Sequence, residues 1–356
     1  MSSPTMFDAV EDARRLPPDA ARACEALVVE GERHLRDHGP FTARVLDVRR
    51  RAHSVIHVIS LSNGRGARRF YLKRLNTNPS VHDRKLRECV TEYRILEELT
   101  RRFASFPDLG VIRPIACWPE DLAFLTEEFP GRNVELVLRD DVRCLWSRST
   151  LRRAAGLCRK AGEWLRHFQS YTVPDTDTFD IDELIAYCDL RLSTILDGAE
   201  GLLSRPLAHA VMRHVTSLAA TFSASEREVV GRHNDLRPDN MLARDERLVV
   251  VDFTGFTYGP RLYDYMKFWM RLDYMAFAAL PIGRRIEALK AGFAEGYGRP
   301  VDLDAPMAEF LRIANILDKM SELADPPSRP LHRRLVQRRW HRHLLRQLRC
   351  RVEGRR

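Results

Sequence analysis

The spacing of apolar residues changes from strand-like to helical at Pro130-Gly131, and that change narrows the folds open to this chain. Between Phe41 and Phe129 the apolar residues come in short runs rich in β-branched and aromatic side chains: ARVLDV, SVIHVISL, RFYLKRL, VIRPIACW and LAFLTEEF. With NGRG and Pro119-Glu120-Asp121 as turns, these runs predict five antiparallel strands. One helix interrupts them across Arg84–Phe103, where Leu86, Cys89, Tyr93, Leu96 and Leu99 form a stripe and Glu92 lies on or beside it. Beyond Pro130-Gly131 the spacing becomes helical, in stripes at Leu157–Phe168, Leu184–Leu196 and Val211–Phe222, and the strand pattern returns only around 241–252. A further helix is expected over 18–38, after a Pro-Pro. The expected organisation is a helical extension (1–40), a sheet-rich lobe (41–130), a mainly helical lobe (131–326) and a C-terminal tail (327–356).

The 356 residues suffice for two domains at about 150 residues each, so neither needs disulfides or metals to build a core. Apolar residues make up 44% and charged ones 30%, as in soluble globular proteins. The first residues carry acids early and no apolar run, so no secretory signal is expected, and no stretch of about 18 apolar residues predicts a membrane span. Seven cysteines, at 24, 89, 117, 144, 158, 188 and 350, show neither a C-x-x-C pair nor metal-ligand spacing, which points to a reducing cytoplasm and to cysteine as a small core residue.

The formal charge of +9 is not spread evenly. Residues 327–356 hold eleven Arg and a single acid, Glu353, so the tail alone carries +10 and the rest of the chain is near neutral. Leu331, Leu335, Trp340, Leu344, Leu348 and Val352 recur between the arginines at spacings near four. That pattern fits an amphipathic helix on anionic lipid at the inner face of the membrane, or a helix docked on the larger lobe with its arginines in water; nucleic-acid contact is the less favoured alternative.

The stretch Gly231–Asn240, GRHNDLRPDN, packs His233, Asp235, Asp239 and two asparagines between Val229-Val230 and Met241-Leu242. Met241-Leu242 and Leu248–Val251 read as a hairpin with a polar connection at 243–247. Centred on Glu246, that hairpin sets Asn240 opposite Asp252, with Cα atoms about 4.5–5.5 Å apart. Two oxygen-bearing side chains there could share a hard cation such as Mg²⁺, which takes few protein ligands and completes its shell with phosphate and water. Asp235, in the loop before the hairpin, is placed to accept a proton from a hydroxyl or to orient it. The chemistry suggested is phosphoryl transfer.

His233-x-Asp235-x-x-x-x-Asn240 followed by Asp252-Phe253-Thr254-Gly255 resembles the catalytic and metal-binding loops of the protein-kinase-like superfamily. The resemblance extends to Lys73 on the third strand, Glu92 on the next helix and LTEEFPG (125–131) at the end of the fifth strand. The mostly helical insertion before His233 and the YGPRLYDYMKFW segment after Asp252 resemble the aminoglycoside phosphotransferase and choline kinase-like branch. The resemblance implies an α+β fold of two lobes, a small antiparallel-sheet N-lobe and a larger, mainly helical C-lobe.

It also implies ATP or GTP and Mg²⁺ as cofactors, with Asp235 as catalytic base, Asn240 and Asp252 as metal ligands, and Lys73, held by Glu92, on the nucleotide phosphates. Glu127, Glu128 and Phe129 form the nucleotide-binding hinge in this reading, His233 is scaffold, and Asp264 braces the catalytic loop. Arg237 falls where Ser/Thr protein kinases place a Lys near the transferred phosphate, so it either neutralises developing charge or is a surface arginine. The chain departs from the branch at Asn234, Arg237 and Asp239, and its first turn, VRRRAHSV, has no glycine; its arginines and Ser54 are the substitutes there. Asp175, Asp177, Asp180, Asp182 and Glu183 either bind a cationic acceptor or favour a helix N-terminus. The expected activity is γ-phosphate transfer to a hydroxyl of a small molecule: an aminoglycoside-like antibiotic, a sugar or an amino alcohol. A kinase of a membrane glycolipid or protein, and a nucleotide-binding pseudokinase, are the alternatives.

Overall fold

The computed structural model describes residues 16–143, 147–175, 179–198, 203–278, 283–324 and 331–354. In chain order its first elements are α1 (Pro18–Val29), α2 (Gly31–Leu35), β1 (Thr42–Arg50), β2 (Ser54–Ser62), β3 (Ala67–Leu75), α3 (His82–Arg102), β4 (Leu109–Val111), β5 (Pro114–Trp118), β6 (Ala123–Glu127) and β7 (Arg132–Asn133). Then come α4 (Val134–Arg143), α5 (Arg148–Tyr171), α6 (Ile181–Asp197), α7 (Arg205–Ala220), β8 (Val229–Arg232), β9 (Met241–Arg244) and β10 (Arg247–Val250). The last are β11 (Thr257–Pro260), α8 (Leu262–Ala278), α9 (Gly283–Tyr297), α10 (Pro306–Ala324) and α11 (Leu331–Glu353). They form two compact units, residues 1–140 with 238–256, and residues 141–237 with 257–356.

In the first unit the five expected strands make one antiparallel sheet in the order β1-β2-β3-β6-β5. Alternation along β3 sends Phe70 and Leu72 to one face, where they join Ile59, Leu61 and Leu125 under Ala20, Ala23, Cys24 and Leu27 of α1. Helix α1 is therefore part of this unit's core. It also differs from the single helix expected over 18–38. Glu30 leaves helical geometry (φ −95°, ψ 19°), and the next residue is a glycine onto which Phe41 packs, its ring 2.3 Å from where a Cβ would stand. VIRPIACW likewise divides: Pro114 opens β5, while β4 leaves the main sheet to run parallel to β10. That parallel pairing draws the hairpin β9–β10 into the first unit, in a second sheet of order β4-β10-β9-β7, although chain order puts it after Pro130-Gly131.

The second unit is mainly helical. Helices α5 and α9 touch backbone to backbone: a Cβ on Gly162 would stand 2.1 Å from the Phe293 carbonyl oxygen, and one on Gly296 would stand 1.8 Å from that of Arg159. The C-terminal end of α5 then anchors β8 and the start of α8. Thr172 O accepts from Gly231 N–H of β8 at 2.7 Å, and Gln169 binds Tyr297 Oη (2.8 Å) and Arg261 O (2.7 Å). Helices α6, α8 and α10 meet at Asp318, whose carboxylate accepts from Tyr187 Oη (2.8 Å) and Lys267 Nζ (2.9 Å) and pairs with Arg191 (3.2 Å). Burial opposes its ionisation, but Lys267, Tyr187 and Arg191 hold the carboxyl below its ordinary range.

The tail forms α11, docked within the second unit. Leu344 and Leu348 are fully buried, and Trp340 packs against Tyr274 and Phe277. Trp340, Leu344 and Leu348 of the apolar stripe thus meet protein, while Arg338, Arg342, Arg346 and Arg349 stay exposed. The side chains of Leu331 and Leu335, and the residues Cys144, Asp177 and 327–330, lie outside those described. Among the described residues no helix is long and apolar enough to cross a membrane.

Two outcomes are expected for stability. Gly296→Ala should cost about 1–3 kcal/mol in urea unfolding by forcing α9 off α5, whereas an unchanged midpoint would mean the helices part without cost. Asp318→Asn should cost about 3–5 kcal/mol at neutral pH by leaving Lys267 without its ion pair. Because the folded pKa of Asp318 is depressed, its contribution is present above the unfolded value and lost as pH falls through the folded one. The gap between wild type and variant should therefore close as pH is taken below 3.8, and a constant gap would exclude this titration.

Candidate active site

In the first unit, strand alternation turns Lys73 to the sheet face opposite Phe70 and Leu72. Its ammonium donates to both oxygens of Glu92 (3.0 and 3.1 Å), to Asp252 Oδ1 (2.7 Å) and to Thr254 Oγ1 (2.6 Å). Glu92 comes from the inward stripe of α3 and is only 1% exposed. Its oxygens also receive Phe253 N–H (3.0 Å) and the Thr254 hydroxyl (2.9 Å). One buried carboxylate therefore fastens the third strand, the long helix and the 252–254 segment together. Burial works against the Lys73 ammonium, yet Glu92 and Asp252 hold its pKa well above the usual lysine value, so it remains charged. Burial raises Glu92, Lys73 opposes that, and Asp252 adds to it.

Asp252 has the left-handed backbone conformation (φ 69°) and keeps its carboxylate half exposed. Asp tolerates that region better than most residues, at a strain offset here by the Glu92 bond to the next amide. The hairpin register differs from the one expected. Met241 pairs with Val250 and Arg244 with Arg247, so Asn240 faces Val251, whose N–H reaches Asn240 O at 3.0 Å, and Asp252 lies one residue beyond. The cause is the turn: Asp245 takes a left-handed conformation (φ 52°), leaving a two-residue turn of Asp245 and Glu246 instead of one centred on Glu246.

Lys73, Asp252, Thr254 and Ser54 line a recess of about 640 Å³, together with Arg84 and Lys85. Its rim is the glycine-free turn after β1, held by Asn76, which donates its side-chain amide to Arg51 O (3.2 Å) and Ala52 O (3.1 Å). Sequence reasoning gave no role to Asn76 or Thr254; the position of Thr254 two residues after Asp252 was the one available signal. Of the residues expected at the hinge, Glu127 pairs with Arg68 (2.6 Å) and Arg113 (3.2 Å), and Glu128 accepts from Tyr71 Oη (2.9 Å). Their carboxylates are thus engaged on the sheet. The Phe129 ring covers the position where a Gly131 Cβ would stand, 2.5 Å away.

In the second unit, β8 delivers the chain into the loop 233–237. Asp264, fully buried in the first turn of α8, accepts His233 N–H at Oδ2 (2.6 Å) and Asn234 N–H at Oδ1 (3.0 Å). Burial raises its pKa, opposed by His233 and by those two amides. Asn234 is left-handed (φ 65°), and Leu236 is fully buried, so the loop is pinned on both sides of Asp235. Asp235 is 39% exposed and its Oδ2 lies 2.9 Å from Arg237 Nη2. In the acidic run, Asp180 caps α6 by accepting from Asp182 N–H (2.8 Å), and Asp182 and Glu183 sit exposed in its first turn. Those three do the work of a helix N-terminus.

Asp264→Ala should leave two buried amides without acceptors and cost about 2–4 kcal/mol in chemical denaturation, with faster proteolysis in 233–237. A change within about 0.5 kcal/mol would show that the loop holds itself.

Residues 58–310 match the sequence model of the phosphotransferase enzyme family. No curated protein matches the chain. Among solved structures, a protein from Ralstonia eutropha JMP134 assigned to the aminoglycoside phosphotransferases superposes with a TM-score of 0.59 at 14% identity, over 93% of this chain and 98% of its own. A spectinomycin phosphotransferase in complex with ADP and spectinomycin gives 0.52 at 13% identity, over 92% and 95%. A glucosamine kinase gives 0.52 at 15% identity, over 92% and 82%. At these identities the likeness establishes the fold, the two-lobed α+β arrangement of protein-kinase-like proteins.

Proposed function

Because the chain belongs to the phosphotransferase enzyme family, we propose that it moves the γ-phosphate of ATP or GTP to a hydroxyl of a small molecule. The observation that carries this reading is the Lys73–Glu92–Asp252 network. A buried lysine held charged by one buried and one half-exposed carboxylate is built to meet a polyanion, since Glu92 keeps it in place when a phosphate takes over its exposed side. Neighbours named for spectinomycin and glucosamine support an acceptor of small-molecule size.

The donor set fits Mg²⁺. Asp252 offers a carboxylate and Asn240 an amide oxygen, both hard ligands, and among the described residues no group of three His, Cys, Asp or Glu would favour another ion. When bound, Mg²⁺ would neutralise charge on the nucleotide phosphates. Lys73 would do the same from the strand side.

Asp235 would accept the proton of the acceptor hydroxyl as that oxygen bonds to phosphorus and the bond from phosphorus to the nucleoside diphosphate oxygen breaks. Arg237, bonded to Asp235, would keep the carboxylate oriented and oppose charge building up on the transferred group. Asp264 fixes the amides of the loop that presents both.

Asp235→Asn should lower turnover in an ATP-to-ADP assay by about 10²–10⁴-fold, with nucleotide affinity by calorimetry changed less than about threefold. Full activity in the variant would remove Asp235 as the base.

A further inference from the structure

Two cysteines meet in the first unit, although nothing in their sequence spacing marks them as a pair. Cys117 of β5 pairs with Phe124 of β6, and Phe124 pairs with Lys73 of β3. Paired residues of an antiparallel sheet send their side chains to one face, so Cys117, Phe124 and Lys73 form a row. The Lys73 ammonium lies 5.6 Å from the centre of the Phe124 ring. Helix α3 covers that face and presents Cys89 and Glu92 to it, both buried and about one turn apart. Glu92 meets Lys73 at one end of the row, and Cys89 meets Cys117 at the other, the two thiols hydrogen-bonded to each other.

The two sulfurs differ in access. Cys89 is fully buried, whereas Cys117 is partly exposed. The Cys89 S–H donates to the Cys117 sulfur and holds the Cys117 thiol below its ordinary range, against burial and the charges of Glu120 and Glu97. The same hydrogen bond, together with burial, raises Cys89. Thiolate is the reactive form, so Cys117 is the sulfur that meets an oxidant and Cys89 the one that resolves it.

We infer that Cys89 and Cys117 are a redox site: a peroxide closes them into a disulfide, and the cross-link draws Glu92 off Lys73 and weakens nucleotide binding. First the Cys117 sulfur attacks one peroxide oxygen, the O–O bond breaks, and Cys117 becomes a sulfenic acid as the other oxygen leaves as water. The Cys89 sulfur then displaces the hydroxyl from the Cys117 sulfur, its proton completing a second water. In sum two thiols lose two electrons and two protons, and one peroxide becomes two waters.

An α-helix moves as a stiff element, so bringing the sulfurs from hydrogen-bond to covalent separation carries Glu92 with Cys89. The Glu92 bonds to Lys73, at 3.0 and 3.1 Å, already lie at the long end for charged partners, and a displacement of about 1 Å breaks them. The effect on nucleotide rests on the phosphotransferase reading, while the disulfide itself does not.

Hydrogen peroxide applied to the full chain, followed by alkylation of the remaining thiols and peptide mapping without reductant, should link the Cys89 and Cys117 peptides. Dithiothreitol should separate them. In Cys89→Ala the reaction should stop at a sulfenic acid that dimedone traps on Cys117, and in Cys117→Ser Cys89 should stay unoxidised. Calorimetry with Mg²⁺ and AMP-PNP, a non-hydrolysable ATP analogue, should give a Kd about tenfold higher for oxidised than for reduced wild type, as expected for loss of a charge-assisted hydrogen bond. Dithiothreitol should restore it, and Cys117→Ser should bind within about twofold of reduced wild type before and after peroxide.

Absence of the linked peptides, linked peptides with an unchanged Kd, or a loss of affinity that Cys117→Ser shares would each overturn the inference. Reduced wild type that binds no AMP-PNP would overturn the phosphotransferase reading, and the linked peptides would then decide the thiol site by themselves.

Discussion

The carboxylate of Glu92 is the constraint on which the first unit turns. A charge taken this far from water must be matched by donors, and the chain supplies three from distant positions: the ammonium of Lys73, the amide of Phe253 and the hydroxyl of Thr254. Meeting those demands fixes the rotation of α3, the face of β3 and the path of the 252–254 segment at once. The cost of burial is thereby converted into geometry, with one ammonium and one carboxylate left facing a recess able to take phosphate.

The second unit solves a like problem with Asp264. There the buried carboxylate accepts from backbone amides, so it fixes a loop and not an ion pair. Each unit thus carries one buried acid whose partners present an exposed acid, Asp252 in the first and Asp235 in the second. Buried acids hold backbone and helices in place and half-exposed acids face solvent, a division that comes from the free-energy cost of desolvation. Asp318 extends it to three helices, joining α6, α8 and α10 through Tyr187, Arg191 and Lys267.

Much of this was legible in the sequence. The five strands, the long helix and the place of Glu92 on its inward stripe follow from periodicity, and the spacing of His233, Asp235, Asn240 and Asp252 marked the loops. The features that were not legible depended on small local choices with long-range causes. A left-handed Asp245 shortens the hairpin turn and moves Asn240 opposite Val251. Helix α1 stops at Val29, ahead of the glycine on which Phe41 packs, and β4, before Pro114, pairs in a different sheet. The stripe of α11 announced an amphipathic helix, but nothing in it distinguished lipid from the protein surface it covers, because both are apolar.

The sequence by itself determined the alternation of strand and helix, the concentration of positive charge in the tail, and the spacing of the residues proposed for phosphoryl chemistry, since these reside in local spacing and residue type. Only the tertiary structure decided which carboxylates are buried and which meet solvent, which glycines let α5 and α9 touch, and that Arg237 pairs with Asp235. Those outcomes depend on which faces of distant segments come together, and the energy of a charge is set by the neighbours and the water it finds there, not by its place in the chain.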